Sequence, residues 1–199
     1  MGLLALPLWT MEVVMKSPVA IVLTAVLIAT ITPSADANQP IELPKFVRQW
    51  FSGQKFSGNR EMRGDYFQCR INGADFEGMV ISNAKFDQCD LSNANMKGVR
   101  FAKDVQLRRA TMNEADLVGA DFVGAVVDSV NFRGADLRKA KNFKAIKKSN
   151  FQRADLRGAD FSKVPMPMIG MEWDDAIYDS STKFPAGFDP DKAGLKKIK

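Results

Sequence analysis

The sequence predicts an all-β solenoid. Three observations point there: a repeat of five residues through most of the chain, a small residue two places before each large apolar one, and Asp or Asn between the two. "ADLVGADFVGA", residues 115–125, shows the unit twice in succession. A strand alternates with period two and a helix with a period of about 3.6. A period of five fits neither, and describes a chain that turns one corner per unit.

Taking the large apolar residue as the centre of each unit, the series opens with Phe51 and Phe56 and then steps by five from Tyr66 to Phe101. After one step of six it runs by fives from Leu107 to Leu137. A gap of nine leads to Ile146, Phe151, Leu156 and Phe161, for 21 centres in all. Ala often stands two places before the centre, as at Ala74, Ala94, Ala115 and Ala135, with Asp75, Asn95, Asp116 and Asp136 between. If each centre points inward, the small residue lets the backbone turn close beside it. Asp and Asn suit such turns because their side chains bond nearby backbone N–H groups. Glycine two places after the centre, as at Gly98 and Gly119, suits a corner with unusual dihedrals. A chain turning this way stacks coil on coil, each pairing only with its neighbours.

"ADLVGADFVGAVVDSVNFRGADL", residues 115–137, resembles the pentapeptide-repeat family, whose motif is A-(D/N)-(L/F)-x-x. The resemblance covers about residues 50–163 and implies a right-handed quadrilateral β-helix with four units per coil. Centres 20 residues apart then stack: Phe51, Ile71, Leu91, Met112, Phe132 and Phe151 on one face, Phe56, Phe76, Met96, Leu117, Leu137 and Leu156 on the next. Glu61 and Asn142 break the pattern. An unpaired carboxylate in an apolar core costs several kcal/mol, so both positions are expected to loop outward, with Met62 and Phe143 filling the core. The extra residue around Lys103–Gln106 predicts a bulge. The expected column has six coils and stands roughly 29 Å tall.

Along the chain, residues 1–37 read as a secretory signal: Lys16, an apolar run from Val19 to Ile31, and Ala35-Asp36-Ala37. The run has 13 residues, against roughly 20 for a bilayer-spanning helix. An uncleaved membrane anchor is the alternative, and translation beginning at Met15 would remove the apolar leader ahead of it. No Arg-Arg pair precedes the run, which favours the general export route. Residues 38–50 are expected to form an N-terminal cap, with one or two helical turns in "ELPKFVRQW" (42–50). Residues 51–163 are the β-helix, and 164–199 an irregular C-terminal capping tail carrying Trp173, Tyr178, Phe184 and Phe188. Caps are needed because an open coil exposes apolar core and unpaired backbone.

Charge and composition limit the chemistry. The chain has 199 residues, 28 Lys and Arg against 23 Asp and Glu, and no histidine. Loss of residues 1–37 leaves 27 against 21, a net charge of +6. Without histidine the commonest general base and neutral metal ligand are missing. Nearly all carboxylates occupy the turn position of the motif, and a regular column offers no cleft to hold a catalytic pair. No catalytic, cofactor-binding or metal-binding residue is assigned, and no cofactor is expected. Asp174, Asp175 and Asp179 do not follow the order of a calcium loop and read as a solvated acidic stretch.

Cys69 and Cys89 fall at the small inward position 20 residues apart, on adjacent coils. Stacking sets their Cα atoms about 4.8 Å apart, within disulfide range, and an exported protein meets oxidising conditions. Their nearly parallel Cβ vectors disfavour the bond, and the alternative is two small hydrophobes in place of Ala. Nine basic residues lie between Arg133 and Arg157, against Asp136 and Asp155. Arg133, Arg138, Lys139, Arg153 and Arg157 form a candidate basic interaction patch, with Arg138 and Arg157 one coil apart. Stacked like charges repel, which suggests a role beyond stability. The alternative is a solvated lysine-rich surface.

These features predict a non-catalytic interaction or scaffold module in an extracytoplasmic space, binding a protein complex through a solenoid face. Similarity to exported cyanobacterial members of the family implies the thylakoid lumen or periplasm. One alternative is binding to anionic lipid through the basic C-terminal coils. A lesser one is a DNA-mimicking topoisomerase modulator, which the basic charge and export signal oppose. No nucleic-acid partner is expected.

Overall fold

A computed structural model describes residues 45–57 and 61–199. The secretory-signal reading of residues 1–37 lies outside them. Among the described residues nine short strands form: β1 (Lys45–Val47), β2 (Glu61–Phe67), β3 (Val80–Asp87), β4 (Arg100–Phe101), β5 (Val105–Arg108), β6 (Ala125–Asp128), β7 (Ala145–Lys147), β8 (Ile177–Tyr178) and β9 (Lys196–Lys197). Their pairings are all parallel, and β1, β2, β3, β5, β6 and β7 stack in that order as one side of the column.

Three further sides are built from isolated parallel bridges between equivalent turn residues. The longest row runs Lys55, Asp75, Asn95, Asp116, Asp136, Asp155, Ile177, Lys196. Eight rungs on that side exceed the six coils expected, and stand roughly 34 Å tall.

The core is a set of stacked columns. Phe76, Phe86, Phe101, Phe122, Phe132, Phe151 and Phe161 are wholly buried, as are Ala74, Ala94, Ala115 and Ala135. Aromatic centres on successive coils lie face to face, with ring centroids 4.9 Å apart for Phe56–Phe76, 4.3 Å for Phe122–Phe143 and 4.5 Å for Phe143–Phe161. Asp90, Asp116, Asn131 and Asp155 each accept a hydrogen bond from the backbone N–H two residues on, at 3.0 to 3.2 Å. This is the turn role expected of them. The residue two places after each apolar centre adopts positive φ even without glycine, as at Asn93 (57°), Glu114 (56°) and Lys139 (59°).

Both interruptions resolve as the core volume demands. Met62 and Phe143 are buried. Glu61 begins β2 with its carboxylate turned to Arg63 and Ser82, and the Asn142 amide donates to Asp121 at 2.8 Å. β3 pairs with β4 through Val80–Ile81 and with β5 through Ala84–Lys85, so the residues between β4 and β5 bulge outward. Lys103 and Asp104 are exposed there.

The ends differ from expectation. The N-terminal stretch is not helical: Lys45–Val47 is a strand paired with Asp65–Phe67, and Trp50 bridges Arg70. Phe46 lies five residues before Phe51 and stacks on Tyr66 at 4.9 Å, so apolar burial and strand pairing with β2 outweigh local helix formation. Residues 42–44 of the expected helix lie outside the described residues. The C-terminal tail is more regular than expected. Trp173 stacks on Phe151 at 4.7 Å, while Tyr178 and Phe184 follow Leu156 and Phe161 in register, adding three sides of a further coil. Phe188 and Leu195 then close the column, with Phe188 5.0 Å from Phe184.

Candidate functional site

Inward positions are filled by the core, so the outside of the column is the surface available for recognition. On the β1–β7 side, outward positions in neighbouring strands align. Val47 lies beside Phe67, and Val126 beside Gln106 and Ala145. These apolar side chains are exposed: Val47 is 54% exposed, Phe67 39% and Val126 39%.

Phe67 and Val126 border a shallow groove that Gln88, Arg108, Arg109 and Lys148 also line. Asp87 and Asp128 lie in it too. Lys147 meets Asp128 at 3.3 Å, while Oδ1 of Asp87 is buried with no hydrogen-bond partner among the described residues. An unmatched buried acceptor is costly unless a donor reaches it. At the edge of this side, Arg48 donates to the Gln68 amide oxygen and Gln68 to that of Gln88, each at 3.0 Å, a ladder that stiffens the corner. Nearby, the Arg70 guanidinium lies 4.7 Å from the centre of the exposed Trp50 ring.

The basic residues singled out from the sequence do not form one patch. Arg138, Lys139 and Arg157 line one groove with Asp179. Arg133 and Arg153 follow the Phe132 and Phe151 centres and do not line it. The repulsion expected between Arg138 and Arg157 is offset by carboxylates. Arg138 binds Asp136 through two nitrogens (2.9 and 2.6 Å), and Arg157 binds Asp155 in the same way. Arg138 also reaches Asp155 on the next rung at 3.8 Å. Burial alone would raise the Asp136 carboxyl, but the hydrogen bonds from Arg138 outweigh it and hold its pKa below the usual value. The pattern is an alternating ion network along one corner.

Cys69 and Cys89 are free, buried thiols on adjacent rungs. Cys69 donates to the Phe46 carbonyl at 3.5 Å and Cys89 to the Tyr66 carbonyl at 3.3 Å. The two neighbouring thiols act on each other, lowering the pKa of Cys69 and raising that of Cys89. The acidic stretch is divided among separate partners. Asp174 accepts from Gln152, Asp175 pairs with Lys196 at 2.6 Å, and Asp179 takes hydrogen bonds from Gly158, Ser181 and Thr182.

Sequence reasoning missed the β1–β7 side as a surface. Its signal was present: apolar Val47, Phe67 and Val126 stand one place beside a centre, where polar residues prevail elsewhere.

Two family models describing pentapeptide repeats match the chain, one with eight copies over residues 103–141 and 146–164, the other with nine copies over 66–111. The gap at 142–145 falls where Asn142 displaces the repeat. No curated protein matches. Among solved structures, a pentapeptide repeat protein of the Arabidopsis thaliana thylakoid lumen is 32% identical over 59% of this chain and 68% of its own, with a TM-score of 0.22. One from Nostoc PCC 7120 is 29% identical over 57% of this chain and 84% of its own (TM-score 0.32). QnrB1, a plasmid-mediated fluoroquinolone resistance protein, is 16% identical over 77% of this chain and 91% of its own (TM-score 0.35). The repeat models and the coil geometry, rather than these superpositions, carry the assignment: the chain belongs to the pentapeptide-repeat family.

Proposed function

We propose that the protein is a non-catalytic scaffold that holds a protein complex against the β1–β7 side of its column. The observation that carries this reading is a groove bordered by exposed Phe67 and Val126, with Arg108, Arg109 and the unpartnered Asp87 oxygen in it and exposed Val47 beside Phe67. Exposed aromatic and arginine side chains are enriched at protein interfaces. A rigid column suits that task because binding orders little of it. The extracytoplasmic setting, thylakoid lumen or periplasm, is supported by the signal-like segment of residues 17–37.

The test is site-specific photocrosslinking in the native membrane fraction. A crosslinkable residue is placed at Phe67 or Val126, and for comparison at Gln152 on another side. One partner band from the first two positions and none from Gln152 is the expected result. Equal yields from all three, or none, would refute the assignment of this side.

A further inference from the structure

Between the sixth and seventh coils the chain leaves the column. Val164 is buried, and the next regular contact is the Met171 sulfur, which accepts the Ser149 N–H at 3.5 Å. The six residues between them, Pro165 to Gly170, read PMPMIG and carry no charge. Ile169 is 70% exposed and Met166 43%. The loop stands where a further rung of the β1–β7 side would be, since β7 is the last strand of that sheet.

Its surroundings are basic. Gly170 packs over Lys148, with the position of a Cβ falling 3.2 Å from the Lys148 side chain. Lys147 lies in the same rung, Lys144 immediately precedes it, and Lys163 leads into the loop. Lys144, Lys148 and Lys163 have no carboxylate within 4.0 Å among the described residues; Lys147 pairs with Asp128. Glu172, just past the loop, accepts a hydrogen bond from Asn150.

We propose that this loop is a membrane-contact element: Met166 and Ile169 enter the interface of an anionic bilayer while Lys144, Lys147, Lys148 and Lys163 engage its headgroups. An uncharged apolar tip inside a lysine rim is the arrangement that interfacial binding requires, since apolar burial and headgroup attraction add. Met166 and Ile169 do not line the β1–β7 groove, whereas Lys147 and Lys148 border both surfaces, so the element is tested with lipid vesicles alone, where protein docking plays no part. Among the described residues no helix is long and apolar enough to cross a membrane. The contact is therefore peripheral for this stretch of the chain.

The test uses the full chain with an environment-sensitive fluorophore on Ile169→Cys. Ile169 is exposed and the two native thiols are buried, so labelling is selective and the fold is not at stake. Vesicles of phosphatidylcholine with phosphatidylglycerol should shift the emission to the blue, and vesicles of phosphatidylcholine alone should do so far less. Reversing Lys144, Lys147 and Lys148 to Glu should weaken the partition coefficient at least about a hundredfold, at roughly fivefold per lost lysine contact. High salt should act in the same direction. The proposal is overturned if the emission does not move with anionic vesicles, or moves equally with neutral ones. It is also overturned if it responds only to a soluble protein fraction, which would make the loop a protein contact.

Discussion

Gly119 and Gly124 hold the same place in two successive units, two residues after Leu117 and Phe122, yet the structure requires them for different reasons. Gly119 adopts φ +70°, and a Cβ there would meet nothing within 4 Å. Gly119→Ala therefore costs only the left-handed conformation, about 1–2 kcal/mol. Gly124 is not left-handed, but its Cβ would fall 1.8 Å from the Ala102 carbonyl oxygen and 2.8 Å from the Lys103 nitrogen. Carbon–oxygen contacts settle near about 3.3 Å, so Gly124→Ala must push the adjacent coils apart locally by roughly 1.5 Å. Two hydrogen bonds hold that place, Gly124 N–H to Phe101 O at 2.8 Å and Val105 N–H to Gly124 O at 3.0 Å. Stranding the groups of both bonds costs about 2–6 kcal/mol. Urea unfolding of the two variants, followed by circular dichroism, should show a much larger loss of stability for Gly124→Ala. Equal losses would refute the claim that the bulge at Lys103–Asp104 dictates the glycine one rung above.

Other outcomes follow from the same geometry. Phe122→Ala should cost about 3–5 kcal/mol, because the ring is wholly buried between Phe101 and Phe143; Phe122→Leu should cost less than about 1.5 kcal/mol, since Leu fills equivalent centres, and denaturant midpoints would separate the two. The Asp179 carboxyl is lowered to about 2, chiefly by the Ser181 hydroxyl, against the opposing effect of burial. A depressed folded pKa means its stabilisation is present above the unfolded value near pH 4 and lost as pH falls through about 2. The thermal midpoint should be level from about pH 7 to 5 and decline below about 4, and in Asp179→Asn that decline should be shallower. Alkylation without reductant should modify neither Cys69 nor Cys89 in the folded protein and both after unfolding, as read by mass spectrometry. An unfolded chain that takes up no label would mean the two are joined.

Much of the fold was legible because the core is one-dimensional. Each buried centre faces its equivalent about 20 residues away, so periodicity alone identifies Phe76, Leu117 or Phe151 as core, and volume alone replaces Glu61 by Met62 and Asn142 by Phe143. The ends were less legible. Trp173, Tyr178 and Phe184 keep near-five spacing but none has Asp or Asn directly before it, and Phe46 sits in a segment whose local pattern also suits a helix. Pairing with the neighbouring coil decided those cases.

The candidate surfaces divide in the same way. The sequence shows that Arg138 and Arg157 stack, but only side-chain geometry shows each fixed to the carboxylate two residues before it. By itself the sequence determined the repeat, the inward residues and the stacking register, because each is a local rule applied many times. Only the tertiary structure decided that Gly124 must be glycine, that Phe67 and Val126 border one groove, and that residues 165–170 stand out beside Lys148. Those facts depend on which atoms of different coils meet, and no spacing along a single coil contains that information.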